Sequence, residues 1–315
     1  MAAVAPPVSH SHDISVIREL IAKHKRWDFI FGLIGLLALM IGVLTFTALF
    51  VDMAIKGVPR LDLEFFTSFP SRRASQAGIL SAWVGSTLVM MVTAFFAVPL
   101  GVAAGVYLEE YAPKNWVTDV IEINITNLAG VPSIVYGLLA LGLFVYQFGF
   151  GQSILSAGLT LALLILPVVI VATREAIRGI PQAIREGSYA LGATQWQTVQ
   201  HHIIPYSSAG ILTGVIIGMA RAIGETAPII TIGALTFIAF LPASPVQAAP
   251  PFVSFEWLLS PFTVMPIQMF NWTSRPEAAF LVNAAAAGFV LVLMTLAMNG
   301  LAIWLRYRLR KKIKW

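Results

Sequence analysis

The chain has 315 residues, of which 58% are hydrophobic and only 11% charged, with a formal net charge of +5. A soluble globular domain carries about 25% charged residues, so this chain cannot cover an ordinary water-exposed surface, and a surface solvated by lipid is the alternative. Its lack of cysteine excludes a disulfide framework, thiolate zinc sites and a cysteine nucleophile.

Residues 1–28 are polar and mixed and end in Arg18, Lys23, Lys25 and Arg26. Phe29–Val51 follows without a charge. It is longer than the apolar core of a secretory signal, no cleavage site follows it, and it reads as a retained first span over 29–52. A helix needs roughly 20 apolar residues to cross the hydrocarbon. Ala77–Leu108 supplies a second span, with a kink expected at Pro99. Ile123–Thr173 is free of charge and too long for one crossing. A Gly-rich turn at Gln147–Gln152 divides it into spans three and four. Span five is expected after Pro205, running to about Leu241 and interrupted by Pro228. Span six is expected over Ala278–Leu305, followed by a basic tail, 306–315.

Positive charge stays on the cytoplasmic side. With the N-terminus inside, fourteen Lys and Arg fall inside and five outside, Arg72 and Arg73 being the main exceptions. Both termini are therefore expected in the cytoplasm. The basic residues flank apolar runs and form no basic domain, so nucleic acid is not expected as a partner, whereas lipid is. Segment 242–277 carries seven prolines, which argue against a regular helix. Its aromatics point to an outside loop resting on the membrane, in part re-entrant.

No phosphate-binding loop is present, and the dipeptide Gly-Lys does not occur. Energy from ATP would therefore have to come from another chain. His10, His12, His24, His201 and His202 lack partners at metal-ligand spacing, so no metal site and no catalytic centre are expected. Glu109 and Glu110 diverge on a helix and read as an exposed span terminus.

The connection between spans four and five, residues 174–205, is long, and its signals are helical. Gly179 can end the helix leaving span four, and Pro181 suits a first turn. Ile180, Ile184, Gly187 and Leu191 share one face. Gly192 can adopt a left-handed conformation as a C-cap. Thr194-x-x-Gln197 reads as a capping box opening a second helix, which carries Trp196 and Val199 and is expected to stop near Pro205. Two short helices about a glycine hinge can lie on the membrane surface as a hairpin. They can also dock onto a soluble motor.

Two charges lie inside span five. Arg221 sits roughly 20 Å into the helix, where a charge costs at least about 2.5–3.5 kcal/mol. Glu225, at i+4, can pair with it and lower that cost. The pair can lock helix packing. It can also line a permeation path, with Arg221 attracting an oxyanion through charge-assisted hydrogen bonds and Glu225 competing for the guanidinium so that cargo is released. Gly210, Gly214, Gly218 and Ala222 recur every four residues and allow close helix approach, within the chain or to a partner. Pro132, Gly137 and Pro228 allow bends where cavity-lining backbone can form. Arg174, Arg178 and Arg185 sit at the inner mouth as positive-inside anchors or as an exit funnel.

The stretch Glu186-Gly-Ser-Tyr-Ala-Leu-Gly192, with Pro205 thirteen residues on, resembles the EAA loop of ABC-importer permeases. Gly187 and Ser188 stand where that family often has two alanines, Ile204 for its Leu and His202 for its Ile. Asn127–Leu138, Tyr107–Pro113 and Arg221–Pro228 resemble the phosphate-importer permeases of the PstA type, and the likeness covers roughly 75–305. The resemblance implies an all-α polytopic membrane protein with six transmembrane helices and a type I ABC-importer permease core, in the inner membrane. It implies a PstC-like permease as heterodimer partner, a PstB-like ATPase dimer below and a PstS-like phosphate-binding protein outside. ATP and Mg would be bound by the ATPase, and this chain would bind no cofactor. Glu186, Gly187, Ser188, Gly192 and Pro205 would form the ATPase-coupling loop, and Arg221 and Glu225 the substrate pathway. A permease for molybdate, sulfate or phosphonate remains an alternative, as do a stand-alone secondary transporter and a membrane scaffold or sensor.

Overall fold

A computed structural model describes residues 10–244, 246, 252 and 254–310. Expectations resting on residues 1–9 and 311–315, on Pro245, Pro250 and Pro251, and on the side chains of His10 and His12 lie outside the described residues. The chain divides into two units, Met1–Ile55 and Lys56–Trp315.

The first unit is formed by helix α1 (His10–Gly57), which is one continuous helix through the expected polar segment and the first span. From Trp27 to Leu49 every residue is exposed. That is the pattern of a helix whose solvent is hydrocarbon.

The second unit is all helical over its described regular elements. A short outer segment carries α2 (Leu63–Thr67), whose N-cap Asp62 accepts from the Phe65 amide. Arg60 ties this segment down. It donates to Asp62, to the carbonyls of Ser75 and Ala77 and to Asn283 on the last helix, and it lies 5.1 Å from the centre of the Phe65 ring. Helix α3 (Leu80–Val106) continues into a widened π turn, Tyr107–Tyr111.

The expected third span is broken. Helix α4 (Trp116–Leu128) and α5 (Ser133–Ala140), which continues in π geometry to Gln147, meet at 106°. Pro132 lacks the amide that a continuing helix would need, and the Tyr136 hydroxyl donates to the freed Leu128 carbonyl at 2.8 Å. Helix α6 (Ile154–Arg178) then crosses, capped by Ser153.

Helices α3, α6 and α9 (Ile204–Gly224) form the centre of the core. Small residues set their spacing. A Cβ at Gly101 or Gly105 would strike Val169 or Thr173 of α6, and one at Gly210 or Gly214 would strike Ala176 or Ala172. The Gly210–Gly214 stripe therefore serves packing within this chain. Such close approach allows dispersion contacts where lipid removes the hydrophobic drive between helices.

Span five is shorter than expected. Helix α9 stops at Gly224, Glu225 is extended (φ −75°, ψ 124°), and the six-residue α10 (Ala227–Ile232) follows, ended by Gly233 at φ +98°. The expected halt before Pro205 does not occur. The π turn Val199–Ile203 leads directly into α9, with Pro205 in its first turn. That widened turn accommodates a ring that would clash in regular helix.

Segment 242–277 holds a helix despite its prolines, α11 (Met265–Thr273), because Pro266 falls in the first turn, where no amide donor is needed. It is not a surface loop throughout, since Met265, Ile267, Gln268 and Trp272 are buried. Helix α12 (Ala278–Arg310) extends the sixth span into the basic tail. Among the described residues five helices are long and apolar enough to cross a membrane, six if the bent pair is counted as one span.

Candidate translocation and coupling sites

Two clusters of ionised side chains stand apart from the apolar core. The first lies where α9 ends. Arg221 Nε donates to Glu225 Oε1 at 3.2 Å, and the side chains are 37% and 18% exposed. The terminal nitrogens of the guanidinium make no hydrogen bond among the described residues. Glu225 also borders a small recess with Ser86, Val89 and Met90 of α3, Leu161 of α6 and Val264.

The structure brings the two sequence motifs together at this point. The buried Tyr136 lies within electrostatic reach of Arg221. A Cβ on Gly137 would come within 2.7 Å of the Pro228 Cα and 2.9 Å of its carbonyl oxygen. Helices α5 and α10 thus meet backbone to backbone, and α10 begins at the break that follows Glu225. Only glycine at 137 permits that approach. Interrupted helices of this kind are how irregular backbone can line a path within the membrane. Asn127, from the same motif, is elsewhere. With Glu122, Thr126, Arg174, Glu175 and Arg178 it lines a cavity of about 310 Å³.

The second cluster gathers the inner arginines. None is a bare cation. Arg174, almost fully buried, pairs with Glu122 and lies 3.4 Å from Glu109. Arg178 pairs with Glu109 at 2.9 Å and with Glu175 at 3.4 Å. Arg185 pairs with Glu110 at 2.7 Å. The expectation of an exposed carboxylate pair at 109–110 is corrected, because the Glu110 side chain is only 6% exposed and that of Glu109 18%. The two diverge as neighbouring helical residues do, but each meets its own arginine. With every inner arginine matched by carboxylates, an anion-attracting funnel loses its physical basis.

The connecting loop below α6 is built as two short helices. Helix α7 (Gln182–Ala190) starts after Pro181, and α8 (Gln195–Thr198) opens with both halves of the Thr194–Gln197 capping box. Between them Gly192 has φ +82°, a left-handed conformation that favours glycine. Ile180, Ile177, Val106, Val199 and Ile203 form a small core under the loop, with Ile184 packed against it. Leu191 departs from the expected face and is 90% exposed. Glu186, Gly187 and Gly192 are exposed, and a Cβ at Gly187 would meet nothing. Ser188 points inward and shares a 2.8 Å hydrogen bond with Thr198, fastening α7 to α8. Pro205 is half-buried in the first turn of α9.

Sequence reasoning missed Glu109 and Glu110 as partners of the loop arginines, along with Gln195, whose amide donates to the Glu110 carbonyl. A signal existed in two adjacent acids at a span end and three arginines 65 to 75 residues on, but nothing local pairs them. No group of residues able to hold a metal occurs among the described residues.

Residues 97–315 match the family described as the binding-protein-dependent transport system inner membrane component. The chain belongs to this family. It is 34% identical to the probable ABC transporter permease protein YqgI of Bacillus subtilis (strain 168) over 90% of this chain and 95% of that protein. It is 30% identical to the phosphate transport system permease protein PstA of Xylella fastidiosa (strain Temecula1 / ATCC 700964) over 78% and 80%. The fold is also that of a bacterial ABC transporter involved in the import of the acidic polysaccharide alginate, with TM-score 0.59 at 14% identity, covering 92% of this chain and 99% of that one. The chain is thus a multi-pass inner-membrane permease component of an ABC importer, a family of transmembrane subunits that work with an ATPase and a substrate-binding protein.

Proposed function

We propose that this chain is a PstA-type permease subunit and forms half of the translocation pathway of an ATP-driven phosphate importer. The observation that carries the reading is the junction at Arg221. There the Asn127–Leu138 and Arg221–Pro228 motifs, which resemble phosphate permeases, meet through Gly137 and Pro228, and Arg221 carries a guanidinium with two donor nitrogens uncommitted among the described residues. The identity to proteins named as phosphate permeases supports it.

In this reading Arg221 takes a phosphate oxygen by charge-assisted hydrogen bonds. Glu225 competes for the same guanidinium and keeps the anion from being held. Tyr136 and the α5–α10 contact keep the broken helices in place around the ion. The loop at 182–199 receives the ATPase. Glu186, Gly187 and Gly192 present the docking surface together with exposed Leu191 and Trp196, while Ser188 and Pro205 hold its shape. A PstC-like permease completes the pathway, two PstB-like ATPases with their ATP and Mg dock below, and a PstS-like protein delivers phosphate from outside. Both chain termini lie in the cytoplasm.

The test is uptake of radiolabelled phosphate by vesicles holding this chain with its partner permease, ATPase and binding protein. Competition by unlabelled phosphate, with sulfate, molybdate and a phosphonate ineffective at tenfold excess, is the expected result. Preferential competition by another of these anions gives the pathway to that oxyanion. Uptake by the chain without an ATPase removes the importer reading.

A further inference from the structure

We propose that Glu110 is a positioning residue of energy coupling: with Arg185 it forms a latch by which movement of the 182–199 loop is delivered to α3. The inference rests on the reading of that loop as the segment that meets the ATPase.

The latch begins with the geometry of one turn. Adjacent residues of a helix point about 100° apart, so Glu109 and Glu110 cannot serve the same partner. In the π turn Tyr107–Tyr111, Glu109 reaches the arginines of α6 and Glu110 reaches Arg185 of α7. Glu110 Oε1 accepts from Arg185 Nη2 at 2.7 Å and from Nε at 3.1 Å. The same guanidinium donates to the carbonyls of Ile180 at 2.9 Å and Ile177 at 3.1 Å. The arginine is therefore anchored to the end of α6 and the start of α7 whether or not Glu110 is charged, and Glu110 is what adds α3 to that anchor. A second tether comes from the other limb of the loop, since Gln195 of α8 donates to the Glu110 backbone carbonyl. Both limbs converge on one residue of α3.

The remaining contacts under the loop are apolar, made by Val106, Ile177, Ile180, Val199 and Ile203. Apolar contacts are non-directional and let surfaces slide. A forked ion pair and an amide bond have direction, so they carry a pull along α3. The far end of that helix reaches the recess that Glu225 borders, through Ser86, Val89 and Met90, and Ser86 there accepts the amide of Met265. Helix α3 thus runs, through its internal Pro99, from the π turn of the latch to the recess beside Glu225.

The chain contains no cysteine, so Thr226→Cys places a single thiol of this chain beside Glu225. The measurement is the rate at which a water-soluble maleimide labels that thiol in the complete complex in lipid, with and without ATP plus vanadate. On the otherwise native chain nucleotide changes the rate at least about fivefold. Glu110→Ala brings the two rates together while ATP hydrolysis stays within about twofold. Glu110→Asp, which keeps the charge, retains most of the response. A residue that merely held the fold together would lower hydrolysis and response alike.

The latch is overturned if Glu110→Ala leaves the nucleotide response intact, or if response and hydrolysis fall in proportion. If Glu110→Ala yields no complex, Arg185→Lys is measured in its place. It keeps the charge and loses the fork, and an undiminished response there overturns the proposal equally. The readout needs no substrate. A complex that responds to nucleotide but imports no phosphate ends the phosphate reading and leaves the latch standing, whereas a complex with no nucleotide response ends the latch.

Discussion

The two charged regions of this protein are built on opposite plans. At the cytoplasmic end of α3 every arginine has two or more partners: Arg185 uses three of its nitrogens on Glu110 and two carbonyls, and Arg174 and Arg178 share Glu109, with Glu122 and Glu175 as their second carboxylates. Within span five, Arg221 has one hydrogen-bonded partner among the described residues, reached through Nε, and two nitrogens uncommitted there. Several partners favour rigidity, because each broken bond leaves a charged group underserved. Under-saturation favours exchange, because an arriving anion finds donors already exposed. The difference teaches that charge in a membrane protein is not one signal. On the proposed function, the partner count separates a force-bearing joint from a site that must bind and let go.

The comparison can be broken most severely from the membrane side. Gly137→Val drives a branched side chain into the Pro228 backbone, and overpacking of a close contact costs typically about 1–3 kcal/mol or more. We expect loss of the α5–α10 contact and near-complete loss of uptake, read as transport per assembled complex, with the cytoplasmic loop still folded by hydrogen exchange. A milder change sharpens the contrast. Glu225→Gln removes the competitor for Arg221, so the half-saturating phosphate concentration falls while turnover drops by roughly 3- to 10-fold, about 0.7–1.4 kcal/mol. Initial-rate measurements over a range of phosphate concentrations separate the two effects, and unchanged values of both count against a competing role. The smallest effect lies in the loop. Ser188→Ala removes one neutral hydrogen bond to Thr198, worth about 0.5–1.5 kcal/mol, and should lower the thermal midpoint of the complex by a few degrees with uptake nearly unaltered.

How much of this was legible beforehand follows the range of each interaction. The capping box at Thr194 and Gln197 and the left-handed Gly192 are local and stand where their spacing put them. The apolar stretches announced the spans for the same reason, since each needs only its own composition to enter lipid. Proline was misleading in both directions. Pro205 and Pro266 read as breaks in the sequence, but Pro266 falls in a first turn, where a missing amide costs nothing, and Pro205 follows a widened π turn that makes room for its ring. Pro132 was allowed a local bend and in fact accompanies a turn of 106°. Glu109 and Glu110 could not be placed, because their partners lie 65 to 75 residues away along the chain and no periodicity joins them. The Arg221–Glu225 pairing was legible at i, i+4. What was not is that the helix ends between the two residues, leaving Glu225 extended and the guanidinium half free.

The central claim is that Arg221 handles the anion while the multiply paired inner cluster handles the force. Arg221→Gln in the complete complex, with phosphate uptake and ATP hydrolysis measured in the same vesicles, tests it most directly. Loss of a charge-assisted hydrogen bond of about 1.5–3 kcal/mol predicts uptake reduced roughly 10- to 100-fold with hydrolysis largely retained. Uptake at the wild-type rate by an intact Arg221→Gln complex would contradict the account.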